Sequence, residues 1–456
     1  MRLDHALRPE SLMPSVKRFL DLARRKILDL ERTWDPRKGT PVFTVKGRYT
    51  ARGWTEWTQG FLYGCQVLYF EATGERRFLE MGRENTRRHM APHVSHIGVH
   101  DHGFNNVSTY GNLRRLMNEG RIPENEDERD FYEMALKVSG AVQAARWSRT
   151  HDGTGFIHSF NGPQSLFCDT IRSLRALALA HRLGHCLMGE CDERISLLRR
   201  LVEHLDNTLR YNVFYGEGRD AYDVPGRVAH ESLFNVKDGR YRCPSTQQGY
   251  SPFSTWTRGL SWILTGTAEQ LEFLGSLPAR DFRDVAEPKK LLARVERAAR
   301  ATAEFLIEHT CADGIPMWDT GAPGLAKMGN VYARPSQPRN PHEPVDSSAA
   351  AIAAQGYLRL AEFLRKKDPA ASARYRQAGL LMARTLFSPP YLSEHPKHQG
   401  LILHSIYHRP NGWDYRPEPD LVPYGESSLW GDYHAMELAV IVQQMAQGRR
   451  PFRFFD

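Results

Sequence analysis

Apolar residues recur at helical spacing along most of the chain. Val16, Phe19, Leu20, Ala23, Ile27 and Leu30 form one stripe, and Phe131, Met134, Ala135, Val138, Ala141, Val142 and Ala145 form another. Further stripes run through Ile195, Leu198, Leu201, Val202, Leu205 and Leu209, then Leu292, Val295, Ala299, Ala303 and Leu306, and then Tyr375, Ala378, Met382 and Leu386. Strict alternation of the strand kind is scarce. The pattern predicts twelve helices, at about 15–33, 56–73, 76–90, 106–117, 128–147, 169–183, 191–209, 254–274, 287–308, 346–365, 369–387 and 428–446. Twelve helices suit six hairpins closed into a ring, with apolar, small-residue helices inside. Residues 347–354 (SSAAAIAA) and 174–180 (LRALALA) fit inner positions. A helical solenoid is the plainer alternative, but no repeat of fixed period supports one. The expectation is an all-α toroid, with residues 1–456 as one domain.

Three connections are long: 210–253, 309–345 and 388–427. They are rich in Gly, Pro, His, Tyr and Trp. Long loops in a compact domain are usually functional or disordered, and so many aromatics argue against disorder. They are expected to wall a cleft at one end of the ring.

Composition narrows the function only a little. At 456 residues, 41% hydrophobic and 25% charged, the chain is ordinary globular protein. No apolar run approaches the ~20 residues of a membrane helix, and no signal-peptide h-region stands near Met1. The six cysteines form no CxxC pair. Cys186 and Cys191, near His181 and His185, match no standard zinc spacing. Read as reduced thiols, the six point to a cytoplasmic location. A net charge of +8 permits an acidic partner. The arginines are scattered rather than blocked, which gives no reason to expect nucleic-acid binding.

Several clusters could carry chemistry. His100-Asp101-His102-Gly103-Phe104 precedes a predicted helix; on spacing alone, helix capping is the simpler reading of Asp101. Asp169 also reads first as a first-turn acid, yet Phe167, Cys168 and Leu174 surround it. Apolar neighbours would raise its pKa, as a general acid needs. Gln248-Gly249-Tyr250 and 254–262 (STWTRGLSW) form the densest group. Arg258 and Trp262, four apart, share a helix face. They could clamp a carboxylate on a flat apolar platform, or only pack as a cation–π pair. Ser254 is placed as an N-cap and, with its block, among the binding residues. Trp54 and Trp57 bracket a helix start, Trp430 begins the last helix, and nine tryptophans in all suit aromatic walls for a carbohydrate. His230 and His342 are the loop histidines of interest. There is no GxSxG, Walker, GxGxxG or HExxH signature, so no metal, nucleotide or flavin is expected.

Taken in order, these motifs resemble the unsaturated glucuronyl hydrolases, glycoside hydrolase family 88. The likeness is carried by 57–61 (WTQGF) with 71–74 (EATG), 100–104 (HDHGF), Cys168-Asp169, Gln248 to Trp262, 346–354 (DSSAAAIAA) and, more weakly, 430–433 (WGDY). The resemblance implies an (α/α)6 barrel. It also implies release of a 4,5-unsaturated uronic acid from the non-reducing end of an acidic oligosaccharide left by a polysaccharide lyase. In that family a carboxylic acid protonates C4, water adds at C5, and the hemiketal opens. By position Asp169 matches the acid/base and Asp101 its partner. His230, Gln248, Arg258 and Trp262 match substrate contacts, with Trp57 and His100 beside them and Arg258 as partner of the uronate carboxylate. The sequence departs from the family pattern at Leu260, at Pro252 and Phe253, at Arg172 and at His102, which leaves the choice of oligosaccharide open. Rival readings are an unsaturated galacturonyl-rhamnose hydrolase, a sugar epimerase on the same toroid, and a carbohydrate-binding barrel without activity.

Overall fold

The computed structural model describes residues 1–53 and 56–455; the expectation placed on Trp54 lies outside them. Helices form where the apolar stripes predict them. In chain order they are α1 (Met13–Thr33), α2 (Gln59–Thr73), α3 (Arg76–His89), α4 (His102–Asn106, a π-helical turn Val107–Gly111, then Asn112–Asn118) and α5 (Glu126–Ala145). There follow α6 (Thr170–Ser173 and Arg175–Arg182), α7 (Leu197–Tyr211), α8 (Thr257–Leu274), α9 (Pro288–Glu308), α10 (Ser347–Leu364), α11 (Pro369–Leu386) and α12 (Leu429–Ala446). The even-numbered helices touch in sequence, α2 to α4 and onward to α12, and α12 returns to α2. The odd-numbered helices pack outside them. This is the six-hairpin (α/α)6 barrel that the pattern predicts.

Close packing of the inner ring follows from its glycines. Gly60 faces Asn105 of α4, Gly103 faces Ser173 of α6, and Gly266 faces Ile171 and Arg172 of α6. Gly356 faces Thr265 of α8, Gly431 faces Ser348 of α10, and Gly64 faces Tyr433 of α12. Each seam of the ring thus has at least one residue without a side chain. At Gly103 an added Cβ would lie 2.4 Å from the Ser173 carbonyl oxygen, so backbone meets backbone there.

Two helices differ from expectation. The α7 helix starts at Leu197, after Ser196 accepts the Arg199 N–H as its cap, and not at 191. The residues before it pair as a hairpin, Leu187–Met188 with Arg194–Ile195. On α5 the buried stripe is offset by one: Tyr132, Ala135, Leu136, Ser139, Gly140, Gln143 and Ala144 face inward, while Phe131 and Met134 are 42% and 60% exposed. The reason is that α5 uses polar groups on its inner face. Ser139 Oγ bonds His102 Nδ1 at 2.9 Å and Gln143 Nε2 donates to the His100 carbonyl at 2.8 Å. An apolar stripe there would leave those buried groups unsatisfied.

The two ends of the barrel differ. Toward the C-terminal ends of the inner helices the lumen holds buried ion pairs. Arg172 pairs with Glu269 at 3.2 Å and Glu437 at 2.8 Å, and Arg359 with Glu272 at 3.0 Å. Arg172, unusual beside Asp169 by the family pattern, is thereby accounted for. The chain end closes over this cluster. Arg359 Nη1 donates to the Phe452 carbonyl at 2.8 Å and Arg182 Nε to that of Phe455 at 3.0 Å. The Arg115 and Arg175 guanidinium groups lie 4.0 and 4.8 Å from the Phe452 and Phe454 ring centres. The long connections gather at the other end. There the segment 210–253 forms strands the alternation pattern did not show: Glu231–Phe234 joins Ser165–Phe167 and Tyr241–Ser245 in an antiparallel three-stranded sheet. No helix among the described residues is long and apolar enough to cross a membrane.

Candidate active site

Asp101 and Asp169 occupy the N-cap positions of α4 and α6, as the capping reading requires, but neither side chain makes a capping hydrogen bond. Both are buried, at 5% and 8% exposure. Each turns instead toward one imidazole: His100 Nε2 lies 3.7 Å from Asp101 Oδ1 and 3.5 Å from Asp169 Oδ1. These separations are long for hydrogen bonds, and the contact is mainly electrostatic. The His100 ring is held by a stack on Phe160 at 5.5 Å and an edge contact with Phe167 at 5.6 Å. The three-stranded sheet places the second acid, because the Cys168 N–H donates to the His230 carbonyl at 2.9 Å.

The electrostatics follow from this geometry. Burial opposes charge on His100, but Asp101 and then Asp169 outweigh it and hold the imidazole above its ordinary range. Burial alone would raise the Asp169 carboxyl. The adjacent His100, then His230 and Arg258, overrule it and hold Asp169 below the usual carboxylate range. In the ligand-free protein the direction is thus opposite to the raised Asp169 that its apolar neighbours predict.

The two acids and His100 line one cavity with Trp57, Gln248, Arg258 and Trp262. Phe104, Phe160, Trp256, Tyr407 and Trp413 supply further aromatic wall, and Gln247 and His408 complete the lining. Trp57 stacks on Trp430 at 5.1 Å, and Trp262 packs on Phe104 at 4.8 Å. Arg258 is where the motif puts it, but its fork is already engaged. Nη1 donates to Asp346 Oδ2 at 3.0 Å and to the Ile406 carbonyl; Nη2 donates to Gln248 Oε1 at 3.0 Å and to the Tyr407 carbonyl at 2.7 Å. A bidentate clamp on a substrate carboxylate, as expected from the sequence, would have to displace these partners. Arg258 holds the Gln248 side-chain oxygen, which leaves the NH2 of that amide as a donor.

Two further expectations change. His230 does not line the cavity; it sits behind Gln247 and Gln248, whose N–H groups donate to its Nδ1 at 3.0 and 3.3 Å. Ser254 is not on the cavity either, and its hydroxyl donates to the Ser251 carbonyl at 3.2 Å. The N-cap position of α8 belongs to Trp256, because helical geometry starts only at Thr257. His342 is likewise outside the lining. Sequence reasoning missed Phe160, Gln247, Tyr407, His408 and Trp413, and held Trp256 only as part of the 254–262 block. The aromatic content of 388–427 pointed to that connection as a wall, but not to these positions.

No family model matches the chain. Among curated proteins it is 24% identical over 410 residues to an unsaturated glucuronyl hydrolase of Bacillus sp. (strain GL1), covering 88% of this chain and 90% of that one. It is 21% identical over 407 residues to an unsaturated chondroitin disaccharide hydrolase of Streptococcus agalactiae serotype III (strain NEM316), covering 88% and 84%. Among solved structures, the unsaturated glucuronyl hydrolase of Bacillus sp. GL1 superposes with a TM-score of 0.68 at 21% identity, covering 96% and 97% of the two chains. An unsaturated glucuronyl hydrolase specific for heparin superposes with a TM-score of 0.69 at 18% identity, covering 96% and 99%. The structural likeness establishes the barrel, and the sequence likeness runs along nearly all of it. Along nearly its whole length, then, the chain is similar in sequence and in fold to the unsaturated glucuronyl hydrolases, glycoside hydrolase family 88.

Proposed function

We propose that this protein releases a 4,5-unsaturated uronic acid from the non-reducing end of acidic oligosaccharides by hydrating the double bond. The observation that carries the reading is the pair of buried carboxylates on one imidazole, Asp101–His100–Asp169, in an aromatic-walled cavity. Relatives named for unsaturated glucuronides and chondroitin disaccharides support the substrate class. The setting is electropositive as well. The cavity lies at the N-terminal ends of the inner helices, where the macrodipoles favour an anion.

In this reading Asp169 is the acid/base and Asp101 the fixed negative charge opposite. His100 holds the proton while the cavity is empty. An arriving uronate carboxylate adds negative charge and desolvates the pocket, both of which favour neutral Asp169. The proton passes from His100 to Asp169 and on to C4. The enol-ether oxygen stabilises the cation at C5, and water adds there, returning a proton to the triad. The C5 hemiketal opens to a ketone, and the hemiacetal left at C1 expels the aglycone alcohol. Incubation with lyase-generated unsaturated disaccharides should remove the conjugated double-bond absorbance. Asp169→Asn should lower kcat by at least ~10²-fold while still binding substrate, the usual worth of a general acid. If the wild-type protein leaves the absorbance unchanged on every unsaturated disaccharide offered, the proposal fails.

A further inference from the structure

We infer that His408 is a further substrate-positioning residue, a neutral Nε2–H donor that meets the uronate carboxylate beside Arg258. The inference rests on the reading of this protein as an unsaturated uronide hydrolase. It starts from a difficulty that the site itself poses. The fork of Arg258 is engaged by Asp346, Gln248 and two carbonyls, so an anion there needs other donors.

His408 has the geometry to be one. It lines the cavity and is 3% exposed. The Asn411 N–H donates to His408 Nδ1 at 3.3 Å, so Nδ1 is the acceptor nitrogen and the proton resides on Nε2. That Nε2 is buried and has no hydrogen-bond partner. A buried donor left without an acceptor costs stability, and such groups in native proteins call for an explanation in function. The ring cannot swing away easily. Its backbone N–H is held by Asp414 Oδ2 at 3.2 Å, and its face packs on Trp413 with centroids 4.8 Å apart. Burial, and then Arg258, keep the imidazole pKa down at about 4, so the ring donates as a neutral group. His230 repeats the arrangement one layer deeper: its Nδ1 accepts two backbone N–H groups and its buried Nε2 has no partner. The cavity lining therefore brings together the Gln248 amide, the His408 imidazole and the Arg258 charge.

The test compares an unsaturated uronyl disaccharide with its methyl ester. His408→Ala should raise KM for the acid by about 10-fold or more, the worth of a hydrogen bond to a charged acceptor, with kcat changed much less. His408→Gln can place an amide N–H near the Nε2 position and should recover most of that loss. Preference for the acid over the ester should shrink in the Ala variant and return in the Gln variant. In wild-type protein labelled with 15N-histidine, the Nε2–H resonance that His408→Gln removes should move when free unsaturated uronic acid is added. Unchanged KM in His408→Ala, a Gln variant no better than Ala, or a His408 resonance insensitive to the ligand would each overturn the inference. A wild-type protein that turns over no unsaturated disaccharide would instead defeat the proposed function, which separates the two failures.

Discussion

Two carboxylates share one imidazole in this site, and its proton count follows from that. With His100 held above its ordinary range and Asp169 below its own, a proton shared between them favours the imidazole. The profile of kcat/KM should fall on the alkaline side as His100 loses that proton. It should fall on the acid side as the carboxylates gain a second one. In His100→Asn no imidazole stores the proton. The alkaline limb should then move down toward the carboxylate range, with a loss of at least ~10²-fold at pH 7 and a smaller loss near pH 5. A purely structural histidine would lower the whole curve without moving its limbs, and that result would refute the proton-holding role. The candidate acids were legible in the sequence because HDHGF and Cys168-Asp169 are short local signals. Their charge states were not, since those depend on a contact between His100 and Asp169 that only the fold makes. Arg258 was legible for the same local reason, but its partners stand at Asp346, Ile406 and Tyr407, 88 to 149 residues away.

Among the elements, the inner helices set the precision of the site, and the seam of α4 with α6 matters most because each carries an acid at its start. Gly103 lies two residues after Asp101 and against Ser173 of α6, where an added Cβ would be 2.4 Å from a backbone oxygen. Backbone cannot yield as a flexible side chain can. Gly103→Ala should therefore cost about 1–3 kcal/mol of stability as an overpacking change. It should also spread the two acids and lower kcat by about 10-fold or more, since small misplacements of catalytic groups are expensive. Thermal melts and single-turnover rates would check both; a variant with the wild-type rate would show that the seam tolerates the shift. The helices themselves were legible from periodicity, because a barrel of hairpins buries one stripe or a whole surface on each. The phase of α5 was not. Its inward face holds Ser139 and Gln143, which bond His102 and the His100 carbonyl at the start of α4, and Gly140, which lies against Ala176 and Ala180 of α6. Likewise the strands that place His230 are only four and five residues long, too short for an alternation signal.

Across the whole molecule, many titratable groups are taken out of water together, and this sets how the fold responds to acid. Burial pushes the imidazoles of His102, His158, His230, His404 and His408 down to about 4 and that of His204 to about 3, and it holds His434 well below its usual value. Burial also pushes four carboxyls, Glu272, Asp319, Asp414 and Asp432, up to about 6. The two sets act in opposite directions. A histidine with a lowered folded pKa lets the unfolded chain bind a proton that the folded chain refuses, so stability falls as pH drops from about 6.5 toward about 4. A carboxyl with a raised folded pKa binds its proton in the folded state first, so stability rises as pH drops from about 6 toward about 4. With His185 also lowered and Glu203 also raised by burial, eight imidazoles stand against five carboxyls and the raised His100 among the described residues. Each net proton is worth roughly 1.4 kcal/mol per pH unit, so the histidines should prevail. The midpoint of thermal unfolding should therefore be several degrees lower at pH 5 than at pH 7. Paired carboxylates such as Asp152, held down at about 2 by its Thr150 and Thr154 contacts against the opposing effect of burial, contribute only at lower pH. A melting temperature that rises steadily from pH 7 to pH 5 would mean that the buried carboxyls govern the balance. Replacing His204, fully buried and with no place in the cavity lining, by Gln offers a direct check. The substitution should flatten the dependence between pH 6.5 and pH 5 by about the share of one proton while leaving the activity profile in place.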